Sequence, residues 1–385
     1  MIDRPANARL WTPATVQARP LSARERQVLR LIRAGGTLTR SQIIKHLDLS
    51  GPAIFRVTED LSARGLIEIG EGVAHGRGQP SSSVRLIADS VVTAGLSVMT
   101  DAAEAVMINL AGEMLARANL AVDDMARATI LPAFQDFIDQ SLEARGLDRT
   151  RLGGIGVGLS GYFMDDGVQI NTPTELDDWA LIDLPSLLGR QFKCPAFVEN
   201  IARAAAIGEA LLGVGSWAPS FGFINVTAGL GGAIVIDGEL MRGRIGNAGE
   251  IGAIPEMLGY PKPDLPSLIA TLRAHDVHVT AIRDLLERYD ERWPGVDVWV
   301  ARMAPPLSLI AALMQHLLDV DAVVIGGRLP RPVIAQLVAA MRLPPGPTPP
   351  RRGLAKPAPQ IVPAVLDSTA AAVGAASAFL KHQYF

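Results

Sequence analysis

Apolar residues recur at helical spacing three times between Leu21 and Arg64. In SARERQVLRLIRAGG, Val28, Leu29, Leu31 and Ile32 share one face and the run stops at Gly35-Gly36, which predicts a helix. LTRSQIIKHLDLS offers Thr39 or Ser41 as a cap, turns Ile43, Ile44 and Leu47 inward and breaks at Asp48-Leu49-Ser50. SGPAIFRVTEDLSARG follows with Ser50 as N-cap, Pro52 in the first turn, Ile54, Val57 and Leu61 inward and Gly65 at its end. Two strands come next, LIEIGEG from Leu66 and VRLIA, joined by the loop VAHGRGQPSSS. Helix, helix, turn, helix and a two-stranded ribbon make a winged helix-turn-helix, whose helix after the turn enters the major groove.

Beyond Ala88 the pattern changes. VVTAGLSVM, EAVMINLAG and EMLARANLAV are three successive strands of an antiparallel meander, followed by a helix in LPAFQDFIDQSLEARG. LGGIGVGLSGYF, a strand near GVQINTP, the helix LIDLPSLLGRQF and the strand CPAFVEN complete a first half. FGFINVTAGLGGAIVIDGELMRG, a strand–glycine turn–strand, and DAVVIGGRLPRPVIAQLVAAM, a strand–Gly-Gly turn–helix, repeat the theme. Residues 343–360 hold seven prolines and form a stiff connection; the strand QIVPAVL and the helix STAAAVGAASAFLKHQ close the chain. Interleaved strands and helices in two similar halves predict an α/β body of two lobes with a cleft between them. The glycine turns at Gly229–Gly232 and Gly326-Gly327 are places where backbone amides approach a phosphate or nucleotide, or simply tight turns.

Charge sharpens this division. Residues 1–88 carry a net charge of +6 and the remainder −9, although the whole chain of 385 residues is only −3. A basic end on an acidic body fits a nucleic-acid-binding module joined to something with another task, or chance variation in a short segment. No secretory signal is visible, no apolar run is expected to reach the ~20 residues that span a bilayer, and the single cysteine, Cys194, excludes an internal disulfide and a multi-cysteine metal cage. A cytoplasmic protein without membrane partners is expected.

On the helix after the turn, Ser50, Gly51, Ala53, Phe55, Arg56 and Thr58 are not needed by the core, and the first five are the candidate DNA contacts there. Ser50 suits a phosphate and Arg56 a phosphate or a guanine edge. Arg77 and Gln79, flanked by glycines in GRGQP, suit a wing tip in the minor groove. A three-helix interaction domain with a mobile hairpin is the plainer alternative; the tight turn, the basic balance and GRGQP favour DNA.

The strand CPAFVEN ends in Glu199-Asn200 and passes straight into an alanine-rich helix, a place where α/β proteins build ligand sites. In their order and spacing, LTRSQIIKHLDLSGPAIFRVTEDLSARGLI, GRGQP, GIGVGLSG, VENIARAAAIGEA, VTAGLGGAIVIDGELMRG, GNAGEIGAI and VVIGGRLP resemble the ROK family (repressors, open reading frames and sugar kinases), specifically its NagC/XylR-type transcriptional regulators. The resemblance runs from about Leu21 to the final helix and implies an actin-like ATPase-type body whose cleft binds a sugar in active members.

Departures from the family pattern fall on its chemistry. Kinases of the family carry an aspartate base directly after Glu-Asn; here it is Ile201. Their Asp-x-Gly, which serves phosphate and metal, corresponds to Ser97 and Met99. Phosphoryl transfer depends on such groups, and losing a general base alone costs roughly 10²–10⁴ in rate. No catalytic residue is therefore expected. The zinc-binding histidine position holds Ala253 and the accompanying cysteines are missing, so neither a metal nor a cofactor is expected. Asn200 and Glu250 match two sugar-contacting positions, while Ile201 and Ala253 remove two others. Asn200 would serve equally as a turn or helix cap, and Glu250 as a solvated residue after a glycine.

These features imply a sequence-specific DNA-binding regulator, a repressor by family habit, with a catalytically dead kinase-like body that senses an effector and oligomerises. The effector is a sugar, a sugar derivative or a less polar molecule, if the cleft keeps one, and a homodimer or homotetramer would place two winged helices on double-stranded DNA. The expected division is 1–88 for the winged helix, 89–200 for the first lobe, closed by the helix 367–385, and 201–366 for the second. The alternatives are an ATP-dependent sugar kinase with a DNA-binding arm and a scaffold that binds neither DNA nor sugar.

Overall fold

The computed structural model describes residues 10–12, 20–73, 81–343 and 357–385. A two-residue strand, β1 (Leu10–Trp11), comes first and has its partner in the body. Helix α1 (Ala23–Gly35) is held by a capping box: the Glu25 amide donates to Ser22 Oγ at 3.3 Å and the Ser22 amide to Glu25 Oε2 at 2.6 Å. A short strand, β2 (Leu38–Thr39), leads to α2 (Arg40–Leu47), which Thr39 caps with Gln42 in the same way. Asp48, in the left-handed conformation at φ 48°, turns the chain into α3 (Gly51–Ala63). Strands β3 (Ile67–Val73) and β4 (Ser81–Leu86) form the ribbon, and β2 adds a third strand on the far side of β4. Thr58 departs from expectation. It is fully buried, and its hydroxyl donates to Ile54 O at 2.9 Å and Phe55 O at 3.0 Å, so it belongs to the core face.

The first lobe is a six-stranded sheet. Strands β5 (Val92–Val98), β6 (Ala103–Asn109) and β7 (Met114–Asn119) form the expected meander and α4 (Arg127–Glu143) follows. Next come β8 (Leu152–Leu159), the small hairpin β9 (Tyr162–Phe163) and β10 (Ile170–Asn171), α5 (Leu184–Phe192) and β11 (Ala196–Asn200). Strands β11 and β8 run parallel to β5, giving the order β1-β11-β8-β5-β6-β7. Leu10 stands opposite Phe197, and a Cβ on Gly189 of α5 would lie 1.9 Å from the Trp11 ring, so the indole sits where only glycine leaves room. Thus β1, within residues 1–88, is an edge strand of the first lobe.

Helix α6 (Ile201–Leu212) leads into the second lobe. Strands β12 (Phe221–Val226), β13 (Leu230–Ile236) and β14 (Glu239–Leu240) are followed by α7 (Ile254–Met257), α8 (Leu265–Arg273), α9 (Ile282–Arg288) and α10 (Val296–Leu318). Then β15 (Ala322–Gly327), α11 (Arg331–Ala340) and β16 (Gln360–Pro363) complete a five-stranded sheet of order β14-β13-β12-β15-β16. Helix α10 corrects the expectation about apolar runs: at 23 residues it is long and apolar enough to cross a membrane by length and composition. Trp299, Met303, Leu307 and Ile310 bury it in the second lobe's core, as befits a central helix.

The last helix, α12 (Ala370–Gln383), lies across the first sheet and α6. Its alanines and glycine permit backbone-close packing: a Cβ on Gly374 would fall 1.6 Å from Ala204 O, and one on Gly156 of β8 would fall 1.9 Å from Ala375 O. The winged helix is joined to this part of the body by one continuous core in which Val28, Leu29 and Ile32 of α1 share a cluster with Ile108, Leu380 and Phe385. Arg30 donates to Phe385 O, Arg33 donates to Leu211 O at 3.1 Å, and the Arg33 guanidinium lies 5.0 Å from the Phe385 ring centroid.

Candidate functional site

Two surfaces collect the candidate residues. On α3, Ile54, Thr58 and Leu61 face the core, which leaves Ser50, Gly51, Phe55 and Arg56 exposed and Ala53 half-buried on the opposite side. Ser50 occupies the N-cap position, but its side chain makes no cap hydrogen bond. Phe55 is 55% exposed, a large apolar ring left outside the core. The Arg40 guanidinium of α2 stacks 4.6 Å from its centroid while pairing with Glu59 at 2.6 Å. Arg40 was not a sequence candidate; its contact partner lies fifteen residues along, across the turn, where helical periodicity gives no signal. Arg77 and Gln79 lie outside the described residues.

Between the lobes lies a cleft of about 620 Å³, within the range of small-molecule sites. Both sequence candidates for ligand binding, Asn200 and Glu250, line it. Asn200 ends β11 and caps α6: Oδ1 accepts from the amides of Ala202 at 2.9 Å and Arg203 at 3.2 Å, and Nδ2 donates to Gly161 O at 2.6 Å. The capping role is thus realised at a residue that also stands on the cleft wall. Glu250 is reachable by solvent, yet desolvation by the surrounding cleft raises its carboxyl pKa, partly countered by the nearby Arg203.

Beneath them is an ion pair that sequence reasoning missed. Glu199 and Arg203, both almost fully buried, meet at 3.0 Å one turn apart. Arg203 Nη1 also donates to Met241 O and Ala248 O, each at 2.9 Å, which ties α6 to the loop carrying Glu250. The signal was an arginine in the first turn of an alanine-rich helix, four residues after a glutamate at the end of the preceding strand. Asn247 of the same loop reaches the first lobe, accepting from the Phe163 amide and donating to Phe163 O, both at 2.8 Å.

At the positions where a kinase would carry chemistry, the side chains are packed. Ile201 is 7% exposed, in a cluster with Met99, Ala205 and Phe223 between the lobes. Ser97 is buried on β5, opposite Glu104 of β6. Burial pushes the Glu104 carboxyl up to about 7, with Arg328 opposing and Asp367 and Asp101 adding to the shift. Glu104 is not part of the cleft wall. Among the described residues, no group of three or more His, Cys, Asp or Glu could hold a metal ion. Of the two glycine turns, Gly327 (φ 112°) is required by its own packing, since a Cβ there would meet Val226 O at 2.1 Å; Gly229 is open and lines the cleft.

Comparison with known proteins finds matches in both the body and the winged helix. Residues 93–259 match the ROK family and residues 20–78 the MarR family. An uncharacterised protein of Sinorhizobium fredii is 28% identical over 92% of this chain and 90% of its own length. A xylose repressor of Caldicellulosiruptor bescii is 27% identical over 58% of this chain, a match that spans only 56% of that repressor. The crystal structure of a ROK family transcriptional regulator, a homolog of the E. coli MLC protein, shares the fold with a TM-score of 0.68 at 20% identity, covering 94% of this chain and 96% of that one. The chain joins a ROK domain to a MarR-type winged-helix DNA-binding domain.

Proposed function

We propose that the chain is a sequence-specific DNA-binding transcriptional regulator, a repressor, whose ROK body senses a small ligand instead of phosphorylating one. The observation that carries this reading is the free face of α3: Ser50, Gly51, Ala53, Phe55 and Arg56 contribute nothing to the core of their own domain, and a helix after a tight turn fits the major groove. Arg77 and Gln79 are assigned to the wing tip. The repressor relative supports the direction of regulation. Residues 1–88 apart from β1 are assigned to DNA binding, 89–200 with β1 and 367–385 to the first lobe and 201–366 to the second.

Asn200 and Glu250 are assigned to a sugar or sugar-derived effector, with the apolar Ile201 on the cleft wall favouring one with fewer hydroxyls. Two half-sites require two winged helices, so the acting form is a homodimer or homotetramer, and a cytoplasmic location goes with the DNA partner. The rival reading, an ATP-dependent sugar kinase with a DNA-binding arm, lacks a base at Ile201 and a carboxylate at Ser97. Capture of genomic fragments by the purified chain at two salt concentrations, read by sequencing, tests the proposal. Recovery of a few palindromic sites with affinity falling steeply in salt supports it. Sequence-blind binding alone, or ADP release dependent on glucose, xylose or N-acetylglucosamine, overturns it.

A further inference from the structure

The two glycine turns stand side by side, because Val226 at the end of β12 pairs with Gly327 at the end of β15. Gly326 and Gly327 nevertheless form no part of the cleft wall; the next residue, Arg328, does. Its amide donates to Val226 O at 2.9 Å, which fixes the backbone at the strand ends. Its side chain crosses from the second lobe to the first, where Nη1 donates to Oδ1 of Asp101, in the β5–β6 turn, at 2.6 Å. Arg328 is only 6% exposed and Asp101 27%.

Domains joined by short segments move relative to one another unless something ties them. Charge-assisted hydrogen bonds of this length are among the stronger ties available to side chains. In a two-lobed body that binds a nucleotide, the nucleotide itself can bridge the lobes through the glycine turns. Here Arg328 follows directly on one of the turns and its side chain spans the gap. The pair is also incompletely satisfied: Arg328 Nε and Asp101 Oδ2 are buried and have no hydrogen-bond partner among the described residues. Arg203 Nη2 of the Glu199–Arg203 pair is likewise buried without a partner, but that arginine is held by two further carbonyls. Among the described residues the Arg328 side chain has the single tie to Asp101 and is the contact that can open.

We propose that Asp101 and Arg328 form a clasp that takes the place of a bound nucleotide: it sets the spacing of the lobes with no second ligand present and leaves the Asn200–Glu250 end of the cleft as a site for one small molecule. The proposal rests on the reading of the cleft as an effector site. Because the clasp acts without effector or DNA, it is tested separately from that reading.

The test uses the full-length chain with spin labels on Glu143→Cys of α4 and Glu287→Cys of α9, both exposed. Pulsed electron–electron resonance then reads the distance between lobes. Ligand-free wild-type background should give one narrow distribution, unchanged by millimolar Mg·ATP, and equilibrium dialysis should show no Mg·ATP uptake. Arg328→Ala and Asp101→Asn should each broaden the distribution at least twofold. The exchange Asp101→Arg with Arg328→Asp should narrow it again, and Arg328→Lys, which tests the same contact with a smaller change, should lie between. A distribution in folded Arg328→Ala as narrow as the wild type overturns the clasp, as does Mg·ATP uptake by the wild type.

Discussion

The free face of α3 and the wall of the cleft are both rich in side chains of the kind that bind ligands, but they differ in what those side chains already touch. On α3, Ser50 makes no cap bond, Phe55 is largely exposed with the Arg40 guanidinium against its ring and Arg56 is exposed. In the cleft, Asn200 caps a helix and holds Gly161, Asp101 holds Arg328, and Glu199 holds Arg203 just behind the wall. A surface with idle groups binds by rigid docking. A surface whose polar side chains already hold one another must break contacts to admit a ligand, so binding there is coupled to a change of conformation.

Breaking the buried pair gives the largest expected effect. Arg203→Ala strands Glu199 in the core and should cost about 3–5 kcal/mol of stability, measured by urea denaturation. The double variant Glu199→Leu/Arg203→Met should recover most of it, because two apolar side chains leave no unpaired charge. If the single and double variants are equally unstable, the pair is not what holds α6 to the Glu250 loop.

Glu104 gives the next effect, and its sign depends on pH. Its carboxyl is raised from an ordinary 4.5 to about 7 in the folded chain, so the folded state retains a proton that the unfolded state has lost. That contribution is fully present below 4.5 and declines as pH rises through about 7. Glu104→Gln should flatten this slope and add up to about 3 kcal/mol above pH 7, a figure that already includes the opposing attraction of Arg328. Urea unfolding at pH 5 and pH 8 checks it; equal changes at both pH values would contradict it.

Smaller effects are expected on α3, and there they should be confined to DNA. Arg56→Ala should weaken operator binding by about 1–3 kcal/mol and leave unfolding within about 0.5 kcal/mol of the wild type. Phe55→Ala should likewise leave stability unchanged while weakening binding, as anisotropy titrations would show. Loss of stability in either would place these residues in the core and remove the contrast with the cleft.

The elements that the sequence made legible are those specified locally. Thr39, and Ser50 with Pro52, announce helix starts, alternation announces the strands, and Glu199-Asn200 marks a strand end at a cleft. What stayed hidden depends on partners far away in the chain. Strand β1 is two residues long, too short for any period, and owes its existence to the edge of β11 and to the space above Gly189. Arg328 and Asp101 are separated by more than half of the chain. Thr58 looked like a surface residue by type, but its hydroxyl is satisfied by the helix's own carbonyls, which allows burial at little cost. Even Asn200 was legible only as a choice between cap and ligand contact, and its geometry serves the cap while leaving it on the cleft wall.

The contrast between an idle recognition face and a cleft whose polar side chains are already engaged is tested most directly by footprinting the full-length, ligand-free chain on the genomic fragments it recovers. The expected result is protection of two symmetric half-sites without any added small molecule, lost in Arg56→Ala. Absence of site-selective protection by the ligand-free chain would contradict it.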